Sequence, residues 1–259
     1  MISQLCGYTE KGIDQIKIPL LKDVVDRYTR IDLNTAHLFD GGLPTQVWES
    51  LSRYFMYRAD VLENTVKPNL MDANEAKDEF EKLSLKLGWA EPLPMNKQSG
   101  AKKQVAYLTA MTQMLIRSTI GSLPCDFDPR SLTSITRAGT PLRTLARRVD
   151  GAFPSATDPI AIWEIKEYYY TTTFGSRIAD GVYETLLDGM ELEELLEHEL
   201  RKVEHYLIVD SFTTWWGKGK SYLCRMVDMQ HMGYVDEVLF GREIISRIPE
   251  IANSWLDRS

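Results

Sequence analysis

Apolar residues recur at intervals of three and four through most of the first 120 positions, and from residue 142 the period changes to clusters of β-branched and aromatic side chains. A helix-period segment laid out as a strand would turn half its apolar side chains to water, so this switch restrains the fold more than any other feature. Residues 19–31 and 45–66 are predicted helices, with Thr45 as N-cap of the second because it follows Gly41, Gly42 and Pro44 and precedes an apolar stripe. Residues 73–88 make a third helix stopped by Gly88, residues 89–100 a linker with two prolines, and residues 102–120 a fourth helix. Strands are expected at 142–153 and 160–170, joined through the turn-forming run Pro154-Ser155-Ala156-Thr157-Asp158-Pro159. A long or broken helix over 176–203, strands at 206–210 and 221–227, and a last helix over 235–248 complete the pattern. The expected class is α/β or α+β, with a mixed central sheet flanked by helices. A helical N-terminal region, residues 1–96, would precede a core of residues 97–259.

At 259 residues, 44% hydrophobic, the chain is long enough for a full core, in one large domain or two small ones. Apolar runs fall well short of the roughly 18 residues a membrane span needs, and the first residues lack the charged and apolar regions of a secretory signal. Cys6, Cys125 and Cys224 are odd in number and far apart, which suits a reducing cytoplasm better than a disulfide framework.

The net charge of −7 hides an asymmetry. Between Asn96 and Arg148, nine basic residues (Lys97, Lys102, Lys103, Arg117, Arg130, Arg137, Arg143, Arg147 and Arg148) face only Asp126 and Asp128. Between Glu184 and His205, eight acidic residues face Arg201 and Lys202. The basic stretch has the density to hold a phosphate backbone, and the plain alternative is two oppositely charged solvated surfaces.

Chemistry concentrates at Arg147-Arg148-Val149-Asp150-Gly151-Ala152-Phe153 and, ten residues later, at Glu164-Ile165-Lys166. In a strand, Glu164 and Lys166 share a face with Ile162, while Ala161, Trp163 and Ile165 take the other. A hairpin from 143 to 166 would bring Asp150 beside Glu164. Two adjacent carboxylates repel unless a cation lies between them, and hard oxygen ligands suit Mg²⁺, with the Ile165 carbonyl as a further ligand. Lys166 would then orient water or offset charge developing on a phosphate. Asp158 is a rival carboxylate, but its place beside Pro159 puts it in the turn.

This arrangement resembles the PD-(D/E)XK nuclease superfamily and, within it, the type II restriction endonucleases. Asp150 corresponds to the aspartate of that motif, and Glu164 with Lys166 to its ExK. The resemblance covers roughly residues 100–240 and departs from the pattern at Val149, where the family's proline would stand. It implies a restriction-endonuclease-like sheet and Mg²⁺-dependent hydrolysis of phosphodiester bonds in duplex DNA at a specific sequence. It also implies a homodimer if the target is palindromic, and a DNA methyltransferase as companion. Glu49 or Glu63 would supply an extra acid, as helix glutamates do in many of its members. A repair, recombination or other phage-defence nuclease, and a non-catalytic DNA-binding protein, are the alternatives.

Candidate DNA contacts are Lys102, Lys103, Arg137, Arg143, Arg147 and Arg148 in the basic stretch, and Thr172, Thr173, Ser176 and Arg177 where the strand over 160–170 runs into the next helix. Lys218 joins them from Trp215-Trp216-Gly217-Lys218-Gly219-Lys220, which is either a base-stacking turn or an ordinary turn between two strands. His198 and His205 lie seven apart on the predicted acidic helix, without the HExxH of a zinc site.

Overall fold

The fold was obtained as a computed structural model, which describes residues 1–10, 12–96, 103–171 and 174–258, and all of Arg177 except its side chain. Helices α1 (Ile2–Cys6) and α2 (Leu21–Arg30) precede a short ribbon of β1 (Phe39–Asp40) and β2 (Leu43–Pro44). Helix α3 (Gln46–Val61) then continues through a π-helical turn at Leu62–Val66 and the single turn α4 (Lys67–Asn69). Thr45 caps α3 as expected, its hydroxyl accepting from Trp48 N at 3.3 Å. Helix α5 (Ala73–Leu87) opens on an Asp72–Glu75 capping box and closes on left-handed Gly88. The first of these helices enclose their own small core of Cys6, Val24, Tyr28, Leu38 and Trp48.

Helix α6 (Tyr107–Ile120) leads into β3 (Asp126–Phe127), the hairpin β4 (Ser134–Arg137) and β5 (Thr140–Thr144), and then β6 (Gly151–Phe153) and β7 (Ala161–Glu167). Helix α7 (Ser176–Glu199), β8 (Glu204–Asp210), a π-helical turn at Phe212–Trp216, α8 (Lys220–His231), β9 (Glu237–Phe240) and α9 (Ile244–Leu256) follow. The central sheet has the order β3-β6-β7-β8-β9, antiparallel as far as β7 and parallel from β7 to β9. The mixed sheet flanked by helices is therefore present.

Alternation along β7 divides the core. Ala161, Trp163 and Ile165 face α5, α6 and α9, where Trp163 stacks on Trp255 with ring centroids 5.7 Å apart. Ile162 packs on the other face with Ile135, Leu145, Val149, Leu192 and Leu195, so α7 covers that side. Farther along, Leu207, Val209, Val238 and Phe240 bury against α8 and the Trp215–Trp216 turn.

Three segments differ from the expected elements. The strand over 142–153 divides, because Thr140–Thr144 pairs with β4 in a separate ribbon and only Gly151–Phe153 joins the central sheet. Gly151 is required there: a Cβ would fall 2.0 Å from the Trp163 ring that lies across it. The segment 221–227 is helical, since Leu223, Cys224, Met226, Val227 and Met229 are buried at helical spacing, which a seven-residue window could not separate from a strand. The expected helix over 235–248 begins as β9, a short apolar edge strand parallel to β8, because so short an apolar run serves a strand and a helix equally. Gly241 ends it at φ 52°, where a Cβ would meet Asn69 O at 2.0 Å. No helix among the described residues is long and apolar enough to cross a membrane.

Candidate active site

The β6–β7 register pairs Gly151 with Trp163, and Asp150, the residue before it, bonds across the same hairpin, its N donating to Trp163 O at 3.1 Å. The Asp150 carboxylate accepts from Ile165 N at 2.9 Å, continuing the ladder through a side chain. Glu164 and Lys166 are 1% and 7% exposed. Lys166 Nζ lies 2.9 Å from Glu164 Oε2, and Arg147 reaches the same carboxylate at 3.0 and 3.1 Å.

Helix α7 brings Glu184 and Asp188, one turn apart, to the open side of this pair. Arg147 donates to Asp188 and, at 3.2 Å, to Glu184, while Lys166 lies 3.7 Å from Glu184. The result is a cluster of Asp150, Glu164, Glu184 and Asp188 around Arg147 and Lys166. Burial pushes the Glu164 carboxyl up, but Lys166 and Arg147 outweigh it and hold the group below its usual range. Burial alone would depress Lys166, and Glu164 and Asp150 raise it instead. For Asp188 burial wins over Arg147, with Glu164 adding repulsion, and its carboxyl is pushed up to about 7. The cluster thus joins a firmly ionised pair to an acid that titrates near neutrality.

The oxygen donors of the cluster are of the hard kind that Mg²⁺ takes. Glu164 Oε1 and Asp188 Oδ1 are buried and accept no hydrogen bond, although Arg147 is in ion-pair range of the first. No three acidic, histidine or cysteine side chains converge as a metal cage among the described residues. Mg²⁺ commonly takes one or two carboxylates and completes its shell with water.

The two charged stretches of the sequence lie against each other. Arg137 pairs with Glu199 at 3.3 Å, Arg143 with Glu194 at 2.8 Å, and Ala146 N donates to Glu191 at 3.1 Å. With Arg147 on Glu184 and Asp188, one acidic face of α7 is bound along its length by the segment from β4 to β6. Arg137, Arg143 and Arg147 therefore all pair with α7, Arg137 from an exposed position and the other two half-buried. Lys103, Arg148, Ser176 and Lys218 are exposed. Lys102, Thr172, Thr173 and the Arg177 side chain lie outside the described residues.

Neither helix glutamate reaches the cluster: Glu49 is exposed on α3, and Glu63 accepts from Ile16 N at 2.8 Å. Asp158 binds Thr136 N and Oγ1 at 2.5 and 2.7 Å, in the turn where it was expected. Trp215 and Trp216 are buried rather than set in an open turn, and Trp215 Nε1 donates to Lys166 O at 3.3 Å, bracing the strand behind the lysine. His205 sits on β8, bonded through Nδ1 to Tyr234 O, so it shares no helix face with His198. Sequence reasoning missed Glu184 and Asp188. Their spacing of four, on the helix after ExK, was the signal.

A second acid pair, Glu167 opposite Asp210, closes the carboxyl ends of β7 and β8. Glu167 accepts from Thr109 N and Oγ1 at 3.1 Å, supplying the cap that Ala106 cannot give α6. Asp210 accepts from Met71 N, Ser211 N and Tyr169 Oη. Burial outweighs these donors and pushes both carboxyls up to about 7. Because the folded form holds these protons while the unfolded form sheds them, the pair's stabilising contribution is full below about pH 4. It is lost as pH rises toward 7. Asp210→Asn is expected to flatten that fall by about 1.4 kcal/mol per pH unit at most, read from urea unfolding at pH 4.5 and 7.5. An unchanged slope would mean that Asp210 is ionised in the folded protein.

Fold and cluster together define a mixed α/β protein with buried charges across its central sheet and first crossover helix. The chain belongs to the family described as a domain of unknown function (DUF7687), whose model matches residues 71–255. A second model, also described as a domain of unknown function (DUF7690), matches residues 1–65. No curated protein and no solved structure matches the chain.

Proposed function

We propose that this protein is a Mg²⁺-dependent endodeoxyribonuclease that cleaves duplex DNA at a specific sequence, in the manner of a type II restriction endonuclease. The observation that carries this reading is the β6–β7 hairpin: Asp150 bonded across it to Trp163 O and Ile165 N, Glu164 and Lys166 two residues apart on β7, and a helix next in the chain. Asp150, Glu164 and the Ile165 carbonyl would hold Mg²⁺, which when bound supplies a Lewis acid for the scissile phosphate. Lys166, fixed by Glu164 and Glu184, orients the attacking water and offsets charge on the phosphate. Asp188 titrates near neutrality within the same cluster and is suited to exchange a proton there. Lys103, Arg148, Ser176 and Lys218, together with Lys102, Thr172, Thr173 and Arg177, are the DNA-contacting candidates. A palindromic target would call for a homodimer, and protection of host DNA for a companion methyltransferase.

A second reading, a non-catalytic protein with a structural ion-pair cluster, has its own support in the way Arg147 and Lys166 already neutralise Glu164. Incubating a long duplex DNA with the wild type and Asp150→Ala, in Mg²⁺ and in EDTA, separates the two. Discrete bands that need Mg²⁺ and vanish in the variant are the expected result. A smear would replace sequence-specific cleavage by a non-specific or structure-selective nuclease. Intact DNA in every lane, across unmethylated, methylated and branched substrates, would sink the nuclease reading in favour of the second.

A further inference from the structure

A cavity of about 690 Å³ lies away from the charge cluster, lined by α1, α3, α7 and α8. Its size falls within the roughly 300–1,000 Å³ of small-molecule sites. Two guanidiniums converge on one ring inside it: Arg58 Cζ is 5.4 Å and Arg225 Cζ 5.5 Å from the centre of Tyr8. Bringing two like charges to one half-buried ring is costly unless an anion offsets them. Asp228 offsets one, held by Arg58 at 2.9 and 3.1 Å and by the Tyr54 hydroxyl. No other carboxylate lines the cavity among the described residues, which leaves one positive charge in excess.

The polar inventory leads the same way. Arg58 is 1% exposed, yet its Nε has no partner, and neither has the buried Nε of Arg225. Arg225 is aimed by the Tyr183 hydroxyl and lies over the Tyr222 ring at 4.7 Å. Beyond these groups and the polar Ser3, Gln4 and His231, the lining is aromatic faces and apolar side chains, which suit a flat ring.

We infer that this cavity is a binding site for a small anion carrying an aromatic ring, of the nucleoside 5′-monophosphate kind. The guanidiniums take the anion and the tyrosines take the ring. The inference is independent of the nuclease reading, because the site shares no residue with the cluster and its test is binding alone.

Calorimetry on the full chain with adenosine 5′-monophosphate, phenyl phosphate, adenosine and inorganic phosphate tests it. Saturable binding of the two ring-bearing phosphates is expected, at least roughly tenfold tighter than the other two probes, because each of those lacks half of the recognition. Arg225→Gln should weaken both ligands at least about tenfold while keeping the wild-type unfolding temperature. Tyr8→Leu, which keeps the apolar volume, should do the same and stands in if Arg225→Gln fails to fold. No binding of either ring-bearing phosphate, binding of inorganic phosphate as tight as theirs, or folded variants that bind like the wild type would each overturn the inference.

Discussion

Arg147→Ala is expected to destabilise the protein by about 3 kcal/mol at pH 8, because it strips the countercharge from two acids that burial has already removed from water. Glu164 is 1% exposed and Asp188 is fully buried. Removing one partner of a buried pair typically costs about 3–5 kcal/mol. Two features here pull toward the lower end: Lys166 stays on Glu164 at 2.9 Å, and Asp188 can neutralise itself by taking up a proton. The second feature gives the loss a pH signature. In the wild type the Asp188 carboxyl sits at about 7, far above the usual aspartate range, so its protonated form is the one folding favours. Without Arg147 its affinity for the proton rises further, and the variant goes on losing stability above pH 7 where the wild type levels off. At pH 5.5 Asp188 is neutral in both proteins, and only the weakened hold on Glu164 separates them. Urea unfolding at pH 5.5 and pH 8 should therefore show a gap that widens with pH. Adding Asp188→Asn to Arg147→Ala should remove the widening. A gap under about 1 kcal/mol at both pH values would mean that Arg147 lies out in water, clear of α7.

The same residue shows how far the sequence could be read. Alternation alone placed Glu164 and Lys166 on one face of a buried strand, and the distance back to Asp150 matched a hairpin, because strand geometry is local and has a period of two. The helices up to residue 88 were legible for a similar reason: Thr45 and Gly88 carry their capping chemistry in their own side chain or in its absence. The partner of the basic stretch was not local. Nothing within ten residues of Arg137, Arg143 or Arg147 says that an acidic helix some forty to sixty positions later will pair with them, so the ion pairs along α7 could not be read from the stretch itself. Glu184 and Asp188 stayed out of view by the same logic, since their role depends on which face of α7 turns to the sheet. The segments 221–227 and 235–248 failed for a different reason. Short apolar windows serve a buried strand and a buried helix equally, and packing against neighbours decides between them. Burial of Trp215 and Trp216 belongs with these, because a Trp-Trp pair beside Gly-Lys-Gly suggests an open turn until Leu223, Val227 and Phe240 are known to enclose it.

Lys166→Met should separate chemistry from architecture. Methionine keeps most of the length and apolar stem of lysine but loses the ammonium, and Arg147 still holds Glu164 at 3.0 Å. The fold should survive, because the buried carboxylate keeps one strong partner and the vacated volume is refilled. Cleavage of duplex DNA should fall by about 10²–10⁴, the usual range for removing a positioned proton-transfer or charge-stabilising group. DNA affinity measured in Ca²⁺ or EDTA should change less than about threefold, since the lysine is 7% exposed and contacts Glu164 and Glu184 rather than the surface. The pH profile carries the further information. Glu164 and Asp150 raise Lys166 above its ordinary range, so it is an ammonium throughout the working range, and its loss should lower the rate across pH 6 to 9, with any shift of the midpoint upward because Lys166 also helps hold the Asp188 carboxyl down. A variant that cleaves within tenfold of the wild type would leave Lys166 as the structural counterion of Glu164 alone. The catalytic duty would then have to lie with Asp188, whose carboxyl at about 7 is the other group in the cluster poised to move a proton.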